Sequence, residues 1–125
     1  MEDRVPPDLT HPIALALRAL ALQYPEAREE FPWGDRVYKV RGKIFLFLDD
    51  GAGHLGVGAK LPQSNAFALM MPGCTPTGYG LGRAGWVSGR FVPGSEPPVE
   101  LLASWVRESY IAVAPKRLSK VAGTA

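Results

Sequence analysis

RVYKVRGKIFLFLDDGAGHLGVGAKL, residues 36–61, decides the fold. Arg36 to Arg41 and Lys43 to Leu48 are dense in Val, Tyr, Ile and Phe, side chains that suit a pleated surface, and only Gly42 separates them. Two strands meeting at a tight turn or bulge follow from this pattern. Asp49-Asp50-Gly51 is a turn signal, and from His54 to Leu61 the residues alternate. Leu55, Val57, Ala59 and Leu61 take one face, and His54, Gly56, Gly58 and Lys60 take the other. Links this short predict antiparallel pairing, because parallel neighbours need a crossover of a dozen residues or more.

Upstream, Thr10 stands before His11-Pro12 and the apolar series Ile13, Leu15, Ala16, Ala19 and Leu20. This predicts a helix capped by the threonine hydroxyl, with proline in its first turn, ending near Gln23 ahead of Pro25. Glu26 to Glu30 reads as one further short helical turn, and Phe31-Pro32-Trp33-Gly34 as a loop in which Trp33 forms a packed corner. Downstream, Pro62 to Met71 reads as a second helix, with Phe67 and Met71 spaced by four. Residues 72–85 hold two prolines and five glycines with no period, and read as a long irregular connection. Trp86 to Val92 returns to strand character. Ser95 before Glu96-Pro97-Pro98 reads as an N-cap for the longest helix, marked by Val99, Leu102, Val106, Tyr110 and Val113 with Leu101 and Trp105 widening the stripe. After Pro115, Lys116 to Val121 reads as a short basic turn. The fold class predicted is α+β, an antiparallel sheet with helices packed on one face, in one domain over residues 1–125.

Composition agrees. A chain of 125 residues, 46% hydrophobic and 21% charged, is sized and balanced for one packed domain, and excludes the disordered and fibrous classes. Cys74 is the sole cysteine, so an internal disulfide and an all-cysteine zinc site are excluded, and the cytoplasm is the expected compartment. Met1 to Pro7 lacks the order of a secretory signal. The longest apolar stretch, Ile13 to Leu22, is interrupted by Arg18 and falls short of the roughly 20 residues that cross a bilayer, so no membrane partner is expected.

The chemistry-bearing motifs are thin. Gly51 to Gly56 and Gly80 to Gly85 both match GxGxxG, but each is followed by a strand pattern, whereas a dinucleotide cradle needs a helix N-terminus behind it. His11 and His54 have no partners at metal-ligand spacing, and Cys74 has no basic neighbour in sequence to make it reactive. Asp49-Asp50, directly before glycine, are turn formers. No catalytic constellation is present, which predicts a protein that is not an enzyme and uses no cofactor or metal.

Charge is placed unevenly. The first 35 residues carry seven acids against three bases, and the remaining ninety carry eleven bases against five acids. With Leu55, Val57, Ala59 and Leu61 in the core, the opposite sheet surface is expected to show Lys60 beside Lys39 and Arg41, Phe45 and Phe47, and Trp86, Ser88 and Arg90. Cations mixed with aromatics suit phosphate neutralisation and base stacking, and the glycines of 54–60 would let a nucleic-acid backbone approach closely. The alternative is that Trp86 and the phenylalanines are covered by residues 72–85 or by a second copy of the chain.

Taken in order, Phe31-Pro32-Trp33-Gly34, Val37-Tyr38-Lys39-Val40, Gly42-Lys43-Ile44-Phe45, Val57 to Pro62, Trp86-Val87 and Ser109-Tyr110 resemble the MmcQ/YjbR family of small bacterial proteins, over roughly residues 10 to 120. The sequence departs from that pattern at Gly85, where a polar or histidine side chain often precedes the tryptophan. The resemblance implies a CyaY-like (frataxin-like), double-wing α/β sandwich and a DNA-binding role. Frataxin-type iron binding draws on acids of the first helix, and residues 11–22 contain none. The expected function is therefore weak, non-specific DNA binding through Lys39, Arg41, Lys43, Lys60, Arg83 and Arg90, with Trp86 as a stacking or packing anchor. The alternative is a protein-interaction or self-associating module, a homodimer in which the acidic first 35 residues meet the basic face of a second copy. A third reading, a small-ligand site in the loop Gly78 to Gly85, rests only on Arg83 among glycines.

Overall fold

The computed structural model describes residues 5–78 and 80–124, with side chains as far as Val121; Glu2 and Asp3 of the acidic N-terminal third, and Tyr79, lie outside the described residues. Six antiparallel strands form one sheet: β1 (Arg28–Glu30), β2 (Arg36–Val40), β3 (Lys43–Asp49), β4 (Leu55–Lys60), β5 (Cys74–Pro76) and β6 (Trp86–Phe91), in the spatial order β1-β2-β3-β4-β6-β5. Helices α1 (Pro12–Gln23) and α3 (Val99–Val113) pack on one side of it, with α4 (Lys116–Thr124) against α3 and the short α2 (Asn65–Leu69) against β5 and β6. Among the described residues no helix is long and apolar enough to cross a membrane.

The core lies between sheet and helices. Tyr38, Leu46, Leu48, Leu55, Val57, Ala59 and Val87 from the sheet meet Ala14, Leu17 and Ala21 of α1 and Leu102, Trp105, Val106 and Tyr110 of α3, all buried. The alternation expected of residues 54–61 holds, with Leu55, Val57, Ala59 and Leu61 all inside. The β2–β3 turn is tight because Arg41 (φ 50°) and Gly42 (φ 78°) are both left-handed, the backbone of a primed two-residue hairpin.

Two strands depart from the sequence pattern. Arg28–Glu30 is a charged edge strand rather than a helical turn, because Glu29 turns to the helix side and accepts hydrogen bonds from Arg18, Arg36 and Tyr38. Three charged residues in a row hide this from hydropathy. The connection 72–85 contains β5, whose Pro76 fits an outer edge, where no ladder donor is required.

The caps also differ. His11, not Thr10, caps α1: its Nδ1 accepts from Ile13 N at 3.1 Å, which leaves the proton on Nε2 to donate to Glu96 at 2.8 Å. Ser95 does not cap α3, which starts only at Val99 once Pro97 and Pro98 are past. The helix read from Pro62 to Met71 shrinks to five residues, and Glu108 of α3 holds its approach by accepting from Gln63 N, Ser64 N and Ser64 Oγ.

Phe45 was expected on the outer surface and is instead buried on the helix side, edge-on to Tyr110. Tyr38 pairs with Leu46 and Lys39 with Ile44, so Phe45 is the extra residue of a bulge and the alternation slips there.

Candidate nucleic-acid interface

The strand register sorts the charged side chains to opposite ends of the sheet. β2 ends and β3 begins at the Arg41-Gly42 turn, Arg28 pairs with Lys39, and Lys60 at the end of β4 pairs with Trp86 at the start of β6. Arg28, Lys39, Arg41, Lys43 and Lys60 therefore share one end. Arg83 joins them from the 3-10 turn Leu81–Ala84 just before β6, where Leu61 N donates to Gly85 O at 2.9 Å. Arg117 of α4 reaches the same end, 3.9 Å from Glu26.

The opposite end is acidic. Asp8, Asp35, Asp49 and Asp50 line a groove there, together with Arg36 and Arg90. Asp50 accepts from Thr10 N at 2.6 Å and His11 N at 2.8 Å, placing a carboxylate on the N-terminus of α1, and Glu96 sits before α3 on His11. The C-terminal ends of both helices meet at the basic end, where Tyr110 of α3 stacks on Tyr24 and its hydroxyl donates to Pro25 O. The side-chain charges thus oppose and compensate the helix dipoles, with acids at the positive N-termini and cations at the negative C-termini.

Five of the six predicted cations lie together, and their partners differ. Lys39 pairs with Glu30 at 3.1 Å, and Arg41 donates from Nη2 to Glu26 at 3.0 Å, a bond that holds the Glu26 carboxyl below its ordinary range. Lys43, Lys60 and Arg83 have no carboxylate within 4.0 Å among the described residues. The sixth cation, Arg90, lies at the acidic end, 3.5 Å from Asp49, and does not belong to the cluster.

Trp86 is 7% exposed and meets Phe47 edge-on with ring centroids 5.7 Å apart, so it is a packing anchor, without a free face for a base. The glycines of β4 have an internal use as well. A Cβ on Gly58 would come 3.2 Å from the Phe47 ring, and one on Gly56 would strike the Asp49 carboxylate. Two side chains of β3 lie down across β4, and the room the glycines make is already filled. The outer sheet face is therefore not the surface the sequence suggested.

The remaining motifs resolve simply. Gly80 and Gly85 are left-handed and the loop feeds β6, so no helix N-terminus stands behind Arg83. Gly85 allows close approach to Leu61, whose carbonyl oxygen a Cβ would meet at 3.2 Å. Burial pushes the Cys74 thiol upward in pKa, away from reactivity. Among the described residues no three His, Cys, Asp or Glu side chains gather as a metal would need.

Sequence reasoning missed two exposed apolar features. Trp33, read as a packed corner, is 88% exposed on a 3-10 turn with φ 52°. Phe67 and Met70, at 78% and 80% exposure, stand on and beside α2. Within this helix of five residues only Ala68 is buried, so the spacing of four between Phe67 and Met71 does not bring Phe67 to the core.

A family model described as YjbR matches residues 22–112. The crystal structure of Deinococcus radiodurans protein DR2400, whose family-model domain is DUF419, matches with a TM-score of 0.67 and 27% identity, covering 86% of this chain and 85% of that one. No curated protein matches significantly.

Proposed function

Because the chain belongs to the YjbR family, with the model spanning residues 22–112, we propose that it is a non-enzymatic cytoplasmic protein that binds DNA weakly and without sequence preference, through the basic end of its sheet. The observation that carries this reading is the convergence of Lys43, Lys60 and Arg83, none within 4.0 Å of a carboxylate among the described residues, beside Lys39 and Arg41. Cations held without internal counterions are what phosphate neutralisation requires, whereas exposed pairs such as Lys39–Glu30 must first be broken. The acidic end turns away a polyanion and orients the approach. A CyaY-like, double-wing arrangement is part of the same proposal, supported by an antiparallel sheet backed by α1 and α3.

Binding of this kind has a Kd of about 10⁻⁴ to 10⁻⁶ M at physiological salt and weakens steeply as salt rises. The test is the affinity for a labelled duplex across a salt series, for the wild type and for Lys43→Glu, Lys60→Glu, Arg83→Glu and Arg90→Glu. The first three variants are expected to lose affinity and flatten the salt slope, and Arg90→Glu to lose least. Absence of binding at low salt, or equal losses from all four, removes the proposal.

A second reading draws on the same polarity. The groove lined by four aspartates, Asp8, Asp35, Asp49 and Asp50, against two arginines, Arg36 and Arg90, keeps an acidic excess that complements the basic end of another copy, giving head-to-tail association. Light scattering across concentration and salt decides it, since a strict monomer at low salt excludes it.

A further inference from the structure

We infer that the trough on the outer face of the sheet is a binding site for a small uncharged saccharide, held between the Phe47 ring and the hydroxyls of Ser88, Thr75 and Thr77, with Asp49 and Arg90 at its end. The site lies apart from the basic end and stands independently of the DNA-binding reading.

Cross-strand register brings these residues together. Phe47, Gly58, Ser88 and Thr75 form one row across β3, β4, β6 and β5, and Asp49, Gly56 and Arg90 form the next row on the same face, turned away from the helices. Phe47 leans onto Gly58 and Asp49 onto Gly56, so the ring and the carboxylate stand over β4. From there to Thr75 is roughly 10 Å, two inter-strand spacings, and only the short Ser88 side chain rises between them. The Ser88 and Thr77 hydroxyls hold each other at 2.8 Å. Arg90 Nη1 lies 3.5 Å from Asp49, and both side chains are more than half exposed. All six side chains line the same groove of about 900 Å³, within the size range of small-molecule pockets.

A sugar ring has an apolar face of C–H groups and a rim of hydroxyls that both donate and accept. Phe47, half-buried and braced by Trp86, offers apolar ring surface to the first. Serine and threonine hydroxyls are donors and acceptors at once, which suits the second. Ser88 and Thr77 use one donor in their mutual bond and keep the other, while Thr75 is exposed at the edge strand. Asp49 accepts and Arg90 donates, and side by side they add both functions with little net charge. The rest of the groove decides against an anion. Asp50 is engaged by Thr10 N and His11 N, and Arg36 by Glu29 and Pro7 O. Asp8 and Asp35 remain, with no cation within 4.0 Å among the described residues, so a phosphorylated or acidic sugar is repelled.

The test titrates the isotope-labelled full chain with D-glucose, D-galactose, D-mannose and D-ribose and follows the backbone amides. At least one sugar is expected to shift Gly58, Ser88 and Arg90 with a millimolar or tighter Kd that salt leaves unchanged, while Lys43 does not move. Thr75→Val and Arg90→Gln alter exposed atoms only, and each should weaken that sugar about tenfold, the scale of one lost hydrogen bond. The phosphate ester of the same sugar should bind less tightly. No shift from any of the four sugars overturns the proposal, and so does wild-type affinity in both variants. Tighter binding of the phosphate ester would make Arg90 an anion site instead. If these amides shift when the chain alone is diluted, a second copy fills the trough and the saccharide reading falls.

Discussion

The hydroxyl of Ser109 in α3 stands in for a rung of the sheet by donating to the carbonyl of Phe45 at 2.6 Å. It also accepts from Lys60 N at 2.8 Å. The β3–β4 ladder stops at Leu46 opposite Ala59, so the next pair, Phe45 and Lys60, would ordinarily bond directly. The bulge at Phe45 turns that residue to the helix side, and a buried side-chain oxygen bridges the strands at the place where the cationic end begins. This gives the Ser109-Tyr110 pair its physical meaning: one hydroxyl closes the sheet, and the next ties α3 to Pro25.

Ser109→Ala should cost about 2–3 kcal/mol, since it strands a buried backbone N–H and a buried carbonyl together. Urea unfolding measures it, and Ser109→Cys, similar in size and a poor donor, should recover only part of the loss. The same substitution frees the Lys60 backbone, so oligonucleotide affinity should fall in the folded variant too. A Ser109→Ala midpoint equal to the wild type would show that the bridge carries no weight.

Gly73 is the position where sequence gave least warning and geometry allows least change. Its φ is 88°, and an added Cβ would run into the Arg90 carbonyl, while Arg90 N donates to Gly73 O at 2.9 Å. Gly73→Ala therefore combines backbone strain with a clash against main chain, and about 2–4 kcal/mol of destabilisation is expected. Hydrogen exchange should rise first at the amides of Cys74, Thr75 and Thr77, in and just after the edge strand that Gly73 admits. Unchanged protection there would mean the strand is held by other contacts.

Much of this architecture was legible because a sheet buried on one face writes its period into the chain. Leu55 to Leu61 alternates without a break and its apolar face lies in the core, and Trp86 to Val92, whose residue types read as strand, forms β6 over Trp86–Phe91. What failed has a common cause, which is that the deciding contact lies outside the local window. Phe45 lost its phase to a bulge that only Tyr38 and Ser109 explain. Arg28–Glu30 is a strand because Arg18, Arg36 and Tyr38 converge on Glu29. For the candidate site, the sequence names the cations but neither their partners nor which of them the fold brings together. Arg90 reads like Lys60 in the sequence, and only register sends it to the acidic end beside Asp49.

The contact between Phe47 and Gly58 predicts a repacking readable by fluorescence. A methyl at Gly58 must displace the Phe47 ring by a few tenths of an ångström, and that ring covers Trp86. In a Trp33→Phe background, which removes the exposed indole, Gly58→Ala should shift emission to the red and cost about 1 kcal/mol of stability. An unshifted spectrum would show that Phe47 yields without uncovering the indole.

Glu29 makes the stability of the domain fall in acid over a defined window. Burial by itself would raise the carboxyl pKa, but hydrogen bonds from Arg18, Tyr38 and Arg36 outweigh it and bring the group to about 2. The side chain is mostly buried, at 15% exposure, with Arg36 Nη1 at 2.9 Å and the Tyr38 hydroxyl at 2.7 Å. A carboxyl whose folded pKa lies below its unfolded value adds stability above the unfolded value, and that stability is lost as pH falls toward the folded one. The contribution is on the order of 3 kcal/mol at neutral pH and drains away between about pH 4.5 and pH 2. Glu29→Gln should therefore be destabilised at pH 7, with the gap to the wild type closing through that window in urea titrations at stepped pH. Salt should narrow the gap little, because Arg36 is buried with the carboxylate and screening acts weakly there. A gap that stays constant from pH 7 to pH 3 would place the stabilisation in packing rather than in the charge.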